Sequence, residues 1–407
     1  MKILIADKFE KVGIDGLQEL GCTVISQPDL SADTLPAAIK QHNPQVLIVR
    51  STKVTRDALR AAASLSLVIR AGAGIDTIDV AAASDLGVFV SNCPGKNSVA
   101  VAELVMGLLL SCDRRIPDQV ADLRAGKWNK AEYSKARGLH GRTLGIVGLG
   151  QIGREIATRA KAFGMHVAAW SRNLTHAEAD RLGVRYCQTP LEVARISDAV
   201  TINVAATADT RNLVNEEFLG AMRPGAYLIN TARGTVVDEA ALAEAIRTKH
   251  IRAGLDVYQN EPGSSTGAFT PAIAALPGVY GTHHVGASTD QAQVAIAFET
   301  VRIVQEYMHS GNVPNCVNRL ARSAATHILA VRHQNRPGVL ADVFRILADC
   351  AINVEEVENI IYHGAQASTA RIHLDGSPDA KTLEAIRRGN EHIISVDLTA
   401  IDGKGTP

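Results

Sequence analysis

The sequence predicts an α/β protein of three domains: two parallel sheets built one after the other, then a small antiparallel βαββαβ module. Three observations predict it. Short β-branched runs alternate with amphipathic helical segments twice over, the pattern of parallel strands joined by crossover helices. Long helical runs follow each of these two series, and the composition shifts at His327 into a third, shorter one. The length of 407 residues fits, since ~100–200 residues per domain allows two to four units.

The first series reads KILIAD, VGIDGLQELG, CTVIS, ADTLPAAIKQH, VLIVRS, TRDALRAAA, LSLVIRAG, DVAAASDLG and VFVSN, and defines a domain over residues 1–98. The long helix VAVAELVMGLLLSC and the polar stretch RAGKWNKAEYSKARGLHG lead into the second series, TLGIVGLG, HVAAW, AVTIN, AYLINT, AGLDVY and VYGTHHV, over residues 99–286. No strand series follows the helical run TDQAQVAIAFETVRIVQEYMHSG. Residues 287–318 are therefore expected to return to the first domain and make it discontinuous. HILAVRH, PGVLADVFRILADCA, VEEVENIIYHG, ASTARIHLDG, DAKTLEAIRRG and HIISVDLTAI, within residues 325–402, read as a ferredoxin-like βαββαβ unit. GKGTP at the end reads as a frayed tail.

Composition narrows the function. Lys plus Arg and Asp plus Glu are both 42, with 46% hydrophobic and 21% charged residues, the profile of a globular protein with no nucleic-acid or membrane partner. The start lacks a secretory signal and no apolar run reaches ~18 residues, so a cytoplasmic location is expected. The six cysteines form no CxxC pair, which predicts reduced thiols and no metal site.

GIVGLGQIGREIATRAKAFG places Gly148, Gly150 and Gly153 in GxGxxG spacing between an apolar strand and a helix, with Gln151 and Ile152 inside the turn. The first glycine permits the turn, the second admits a pyrophosphate and the third lets helix and strand meet, while the helix N-terminus offers free N–H groups. The two sheets are accordingly expected to be Rossmann- or flavodoxin-like. About twenty residues on, where an acidic residue commonly holds the ribose, this chain has Ser171 and Arg172. Their chemistry suits a 2'-phosphate and leans toward NADP. NAD still binds if Arg172 faces solvent, so the cofactor is NAD or NADP.

Three later segments end strands in polar turns: TARGTVVDEAAL, AGLDVYQNEP and THHVGAST. Ligands of open parallel sheets bind at the carboxyl ends of strands, where Arg233, Glu261 and His284 could converge. Hydride exchange with a 2-keto acid needs a cation for the carboxylate and carbonyl, a hydride carrier and a proton donor. Arg233 suits the first. His284, kept cationic by a neighbouring Glu261, suits the last.

These motifs, with GLGQIG and VAELVMGLLL, resemble the D-isomer-specific 2-hydroxyacid dehydrogenases in order over nearly the whole chain. The resemblance implies that Arg233, Glu261 and His284 are the catalytic group, that Thr231 and Ala232 lie beside the nicotinamide and Asp256 on its carboxamide, and that the first domain binds substrate and closes over the second. The family commonly has Pro before its histidine, where this chain has His283. The assignment goes to His284 because VGAST follows it. Asn203 and Ala205 also replace a His and a Pro often found in the cofactor pocket.

VLIVRSTKV, VIRAGAGIDTID and PGKNSVAVAEL resemble the substrate motifs of those family members that oxidise 3-phosphoglycerate to 3-phosphohydroxypyruvate on the way to L-serine. This implies substrate contacts from Arg50, Arg70 and Asn97 and from the amides around Ala73 and Gly74, with Lys53 and Lys130 as further candidate cations. The third domain, through HQNRPGVLADVF, resembles the ACT regulatory domains. By that resemblance His333, Asn335 and Asn353 form an allosteric serine site at a subunit interface, in a homodimer or homotetramer. Two alternatives stay open: an NADPH-dependent glyoxylate/hydroxypyruvate reductase, and a cofactor-sensing binding protein without turnover.

Overall fold

The computed structural model describes residues 1–262, 266–320 and 323–401, and the GKGTP tail and residue 402 lie outside the described residues. The chain divides into two compact units, Met1–Asn318 and the remainder from Arg319. The described residues form three sheets, of five, seven and four strands.

The first sheet holds β1 (Lys2–Ile5), β2 (Thr23–Ser26), β3 (Val46–Val49), β4 (Leu67–Arg70) and β5 (Phe89–Asn92), all parallel, in the order β2-β1-β3-β4-β5. Parallel strands covered on both faces read as continuous apolar runs, as VLIV of β3 does. Alternate residues feed opposite layers. Leu4, Leu47, Val49, Val68 and Val90 meet Leu35, Ile39 and Leu59 on one face. On the other, Ile3, Ile5, Ile48 and Ile69 meet Leu17 together with Ile296, Ile303 and Val304 of helix Asp290–Ser310. That helix starts on Thr289, whose hydroxyl caps the Ala292 amide at 3.2 Å, and stops at Gly311 with φ of +72°.

The second sheet comprises β6 (Thr143–Val147), β7 (His166–Trp170), β8 (Arg185–Tyr186), β9 (Ala199–Ile202), β10 (Tyr227–Asn230), β11 (Arg252–Leu255) and β12 (Val279–Gly281), in the order β12-β11-β10-β9-β6-β7-β8. β8 is absent from the sequence reading, because two residues are too few to show an alternation. Helix Ser98–Arg114 covers one face through Ala102, Val105, Leu108 and Leu109. The two sheets follow the flavodoxin-like and Rossmann orders, whose ligands bind beyond the carboxyl strand ends where the order reverses. For the first sheet that point lies between β1 and β3, and for the second between β6 and β9.

The second unit holds β13 (His327–Gln334), β14 (Val354–Ile361), β15 (Ala367–Leu374) and β16 (Ile393–Ala400), antiparallel in the order β14-β15-β13-β16, with helices Val339–Asp349 and Ala380–Gly389. Its core joins Leu329, Val331, Ile372 and Val396 of the sheet to Val343, Leu347 and Ile386 of the helices. This is the βαββαβ chain order expected from the sequence.

Candidate active site

The glycine turn after β6 divides its work among three residues. Gly148 has φ of +100°, and a Cβ there would run into the Asn203 carbonyl. One on Gly153 would strike the Gly148 carbonyl. Gly150 differs: no heavy atom lies within 4 Å of where its Cβ would be. The first and third glycines are thus required by the protein's own packing, and the second keeps space open at the N-terminus of helix Gln151–Ala162. Gln151 reaches across to Gly95 of the first domain, and Ile152 packs under the helix.

The same edge carries buried polar atoms with nothing to bond. Asn203 Oδ1 follows β9 and Thr231 Oγ1 follows β10, while Asn97 Oδ1 and Ser98 Oγ sit where helix Ser98–Arg114 begins. Buried polar atoms are rarely left unpaired. A dinucleotide is rich in hydroxyl and amide groups, so these residues fit one. Ser171 and Arg172 follow β7, the first half-buried and the second exposed.

Arg233 leaves β10 through a loop pinned by the buried Asn230, whose side chain donates to the Arg233 carbonyl and accepts from the Ala232 amide, both at 3.0 Å. Gly234 is required next, because a Cβ there would overlap the Tyr258 backbone. The Arg233 guanidinium donates through Nε to Asp76 Oδ2 at 2.7 Å and through Nη1 to the Ala232 carbonyl at 2.7 Å. The sequence reading named neither Asn230 nor Asp76. Asn230 is the legible one, as a polar residue ending an otherwise apolar strand.

His284 Nδ1 lies 2.6 Å from Glu261 Oε2, and Glu261 Oε1 accepts the Tyr258 amide at 2.7 Å. Burial alone would raise the Glu261 carboxyl, but His284, the Tyr258 amide and the Arg233 charge outweigh it and hold the group below the usual carboxylate range. With Nδ1–H given to Glu261, Nε2 is the ring atom left for proton transfer. His283 is exposed, and it is His284 that the structure pairs with the carboxylate.

The His284 loop is held from beneath. His284 has φ of +53°, a conformation few non-glycine residues adopt, and its amide donates to the Asp256 carbonyl at 2.7 Å. The Asp256 carboxylate accepts from Thr282 Oγ1 at 2.6 Å and from the Val285 and Gly286 amides at 2.9 Å. Asp256 is 1% exposed and spends three of about four acceptor positions on this loop. In this structure it is a scaffold for His284.

From the first domain, Asp7 gathers the amides of Arg50 at 2.6 Å and of Ser51 and Thr52 at 3.2 Å, fixing the loop after β3. Arg50 Nη2 reaches Ser288 Oγ at 3.4 Å. Arg70 ends β4 with its Nε buried and unpartnered. Burial, Arg233 and Arg50 lower its pKa, with Asp76 acting the other way. Gly74 lies against Arg233 Nη2, and the Ala73 carbonyl accepts from Asn92 at 2.6 Å. The cleft therefore gathers Arg50, Arg233 and Asp76 around Arg70. Lys53 and Lys130 are exposed and make no ion pair among the described residues.

In the second unit, the expected allosteric trio does not converge within one chain. His333 is 2% exposed on the core side of β13, with Nδ1 2.8 Å from the Gln334 carbonyl and Nε2 unpartnered. Asn335 donates to the Ala365 carbonyl at 3.1 Å, and Asn353 bonds Asp375 and Glu355 at 2.8 Å. Leu374 is opposite both His327 and Val354, whereas Ser368 is opposite His333. Asn335 and Asn353 thus mark opposite ends of the sheet.

Comparison with known proteins adds to this geometry. Residues 106–286 match the NAD binding domain of the D-isomer specific 2-hydroxyacid dehydrogenases. The chain is 38% identical over 320 residues to a D-3-phosphoglycerate dehydrogenase of Methanocaldococcus jannaschii, covering 78% of this chain and 59% of that protein. It thus spans about three fifths of the length of that curated relative. It is also 38% identical over 302 residues to a hydroxypyruvate reductase of Thermotoga maritima, covering 74% of this chain and 96% of the relative. Among solved structures, the NADPH-dependent glyoxylate/hydroxypyruvate reductase of Sinorhizobium meliloti, in complex with NADP and malonate, superposes with a TM-score of 0.67 at 30% identity, covering 79% of this chain and 99% of that one.

Proposed function

The chain belongs to the D-isomer-specific 2-hydroxyacid dehydrogenases, and from that premise we propose that it oxidises 3-phosphoglycerate to 3-phosphohydroxypyruvate with NAD or NADP, as a cytoplasmic enzyme of serine formation. The observation that carries the reading is the cation cluster. Arg50 and Arg70 come from the first domain to meet Arg233, and a substrate bearing both a carboxylate and a phosphate needs that much positive charge.

The residues divide the chemistry. Arg233 binds the carboxylate and polarises the C2 oxygen. His284 Nε2 removes the hydroxyl proton during oxidation and returns it during reduction, while Glu261 stabilises the imidazolium so formed. Gly148, Gly150 and Gly153, with Thr231 and Ala232, would hold the dinucleotide, and Asp256 its carboxamide. The chemistry the dinucleotide supplies is a hydride acceptor. Arg70 and Arg50 hold the phosphate end, and Asn97 with the Ala73 and Gly74 amides holds the substrate backbone.

A second reading, reduction of glyoxylate or hydroxypyruvate with NADPH, is favoured by Arg172, which stands exposed after β7 where a 2'-phosphate would lie. Comparing kcat/KM for 3-phosphohydroxypyruvate, hydroxypyruvate and glyoxylate, with NADH and with NADPH, decides between them. Preference for the phosphorylated acceptor by about 10-fold or more, the worth of a charge-assisted contact, supports the first reading. Indifference to the phosphate supports the second.

The proposal extends to assembly and control. Ile116, Val120, Leu123 and Trp128 are exposed apolar residues along one segment of the second domain, which supports a homodimer, testable by light scattering. Because Asn335 and Asn353 end the sheet on opposite sides, serine would be held between two copies of the second unit, with His333 beneath. A thermal shift with L-serine that vanishes in Asn353→Ala supports this, and no shift in the parent chain counts against it.

A further inference from the structure

We propose that Asp76 is a positioning residue for Arg233: it holds Nε of the guanidinium and so aims Nη2 at the anionic oxygens of the substrate. The inference rests on the reading of the cleft as a 2-hydroxyacid site and adds a residue to it.

A guanidinium presents two forks, a side-on pair made by Nε with Nη2 and an end-on pair made by Nη1 with Nη2. Asp76 Oδ2 accepts from Nε at 2.7 Å, so one nitrogen of the side-on pair is taken. Nη1 donates to the Ala232 carbonyl at 2.7 Å. Nη2 donates to neither, and it is the nitrogen that lies against Gly74, where any Cβ would collide with it. Two anchors on two nitrogens fix the plane of the group. One comes from the second domain beside Arg233 itself and the other from the loop after β4 in the first.

Electrostatics gives the same assignment. Asp76 is the carboxylate that offsets Arg233 and Arg50 at Arg70. Without it, Arg233 and Arg70 face each other as like charges, and the Arg233 side chain gains both a reason and the freedom to turn away. The Asp76 side chain is 53% exposed, so it contributes little to packing. A carboxylate at this place has an alternative use, as a stand-in for the substrate carboxylate that leaves when substrate arrives. The two uses predict opposite signs on removal.

Asp76→Ala and Asp76→Asn in the full chain separate them. For 3-phosphohydroxypyruvate reduction, Asp76→Ala is expected to lower kcat about 10- to 100-fold, the cost of misplacing a catalytic group by about an ångström, with the KM for NADH unchanged. Asp76→Asn is expected to restore most of the loss, since its Oδ1 still accepts from Nε. A second readout needs no turnover: oxalate binding to the NADH complex, followed by quenching of NADH fluorescence, should weaken about 10-fold in Asp76→Ala and much less in Asp76→Asn. Unchanged kcat and oxalate affinity in Asp76→Ala overturn the assignment, and tighter oxalate binding overturns it in favour of the stand-in. A parent chain that binds oxalate but reduces no 2-keto acid overturns the functional reading alone, because the oxalate affinities still decide Asp76. A parent chain that does not bind oxalate overturns both.

Discussion

At the carboxyl end of the second sheet, the candidate groups are held by the protein's own hydrogen bonds. Glu261 bonds the Tyr258 amide and His284, Asp256 bonds three donors of the His284 loop, and Asn230 brackets Ala232 and Arg233. At the carboxyl end of the first sheet, Arg70 keeps a buried, unpartnered Nε, and Arg50 has one long contact to Ser288. Around His284 and Arg233 one rim is finished, although Asn203 Oδ1 and Thr231 Oγ1 beside them stay unpaired, and the other rim is left with charge to spare. The difference separates the two tasks of such a site. Proton transfer depends on preorganised geometry, whereas recognition of an anion can leave its cations incompletely paired until the anion supplies the missing acceptors.

The sharpest way to break this comparison is to remove the finished rim's base. His284→Ala is expected to lower kcat by about 10³- to 10⁴-fold with NADH binding retained, whereas His283→Ala is expected to stay within a few-fold. Equal losses from the two would mean that the Glu261 pairing does not select the working ring. The unfinished rim calls for a different signature. Arg70→Met should raise KM for 3-phosphohydroxypyruvate by about 10²-fold, as expected for a lost charge-assisted pair, yet scarcely change that for hydroxypyruvate. Because it removes a buried charge without full compensation, it should also raise Tm; a fall in Tm would show that the rim is not left unpaired as drawn.

A smaller effect is expected at Arg172, which belongs to the finished rim's sheet but stands exposed. Arg172→Ala should lower the kcat/KM ratio of NADPH over NADH about 10-fold, with no change in Tm. The smallest effect concerns acid. In the folded chain the Glu261 carboxyl sits below its ordinary value, so its ionised form adds stability above the usual carboxylate range near pH ~4.3, and that contribution is lost as pH falls through the folded value. Glu261→Gln should therefore cost several degrees of Tm at pH 7 and progressively less as pH falls below the usual carboxylate range. A pH-independent loss would place its role in packing.

The strands were legible wherever four or more apolar residues ran together, as VLIV and HVAAW do. β8 was not, because Arg185–Tyr186 is held in the sheet by β7 and carries no period of its own. Arg233, Glu261 and His284 could be singled out because strand ends and chemistry coincide there, and the structure pairs His284 with Glu261. Asp76 could not, since its partner lies 157 residues away and nothing local in GAGIDTID points across a cleft. Resemblance names Asp256 for the cofactor, while its bonding to the His284 loop depends on a φ of +53° that no spacing reveals. The three residues of the second unit came from the resemblance, and the sheet register explains why one chain does not bring them together.

The return of helix Asp290–Ser310 to the first sheet has a consequence for how this protein can be cut or inherited. Ile3, Ile5, Ile48 and Ile69 face Ile296, Ile303 and Val304 as well as Leu17, so a gene fragment ending at residue 98 encodes a sheet with one side only partly covered. The second sheet is encoded between the strands of the first sheet and the helix that covers it. Recombination can exchange the inserted piece whole, but it cannot pass on the first domain as a single uninterrupted stretch of DNA.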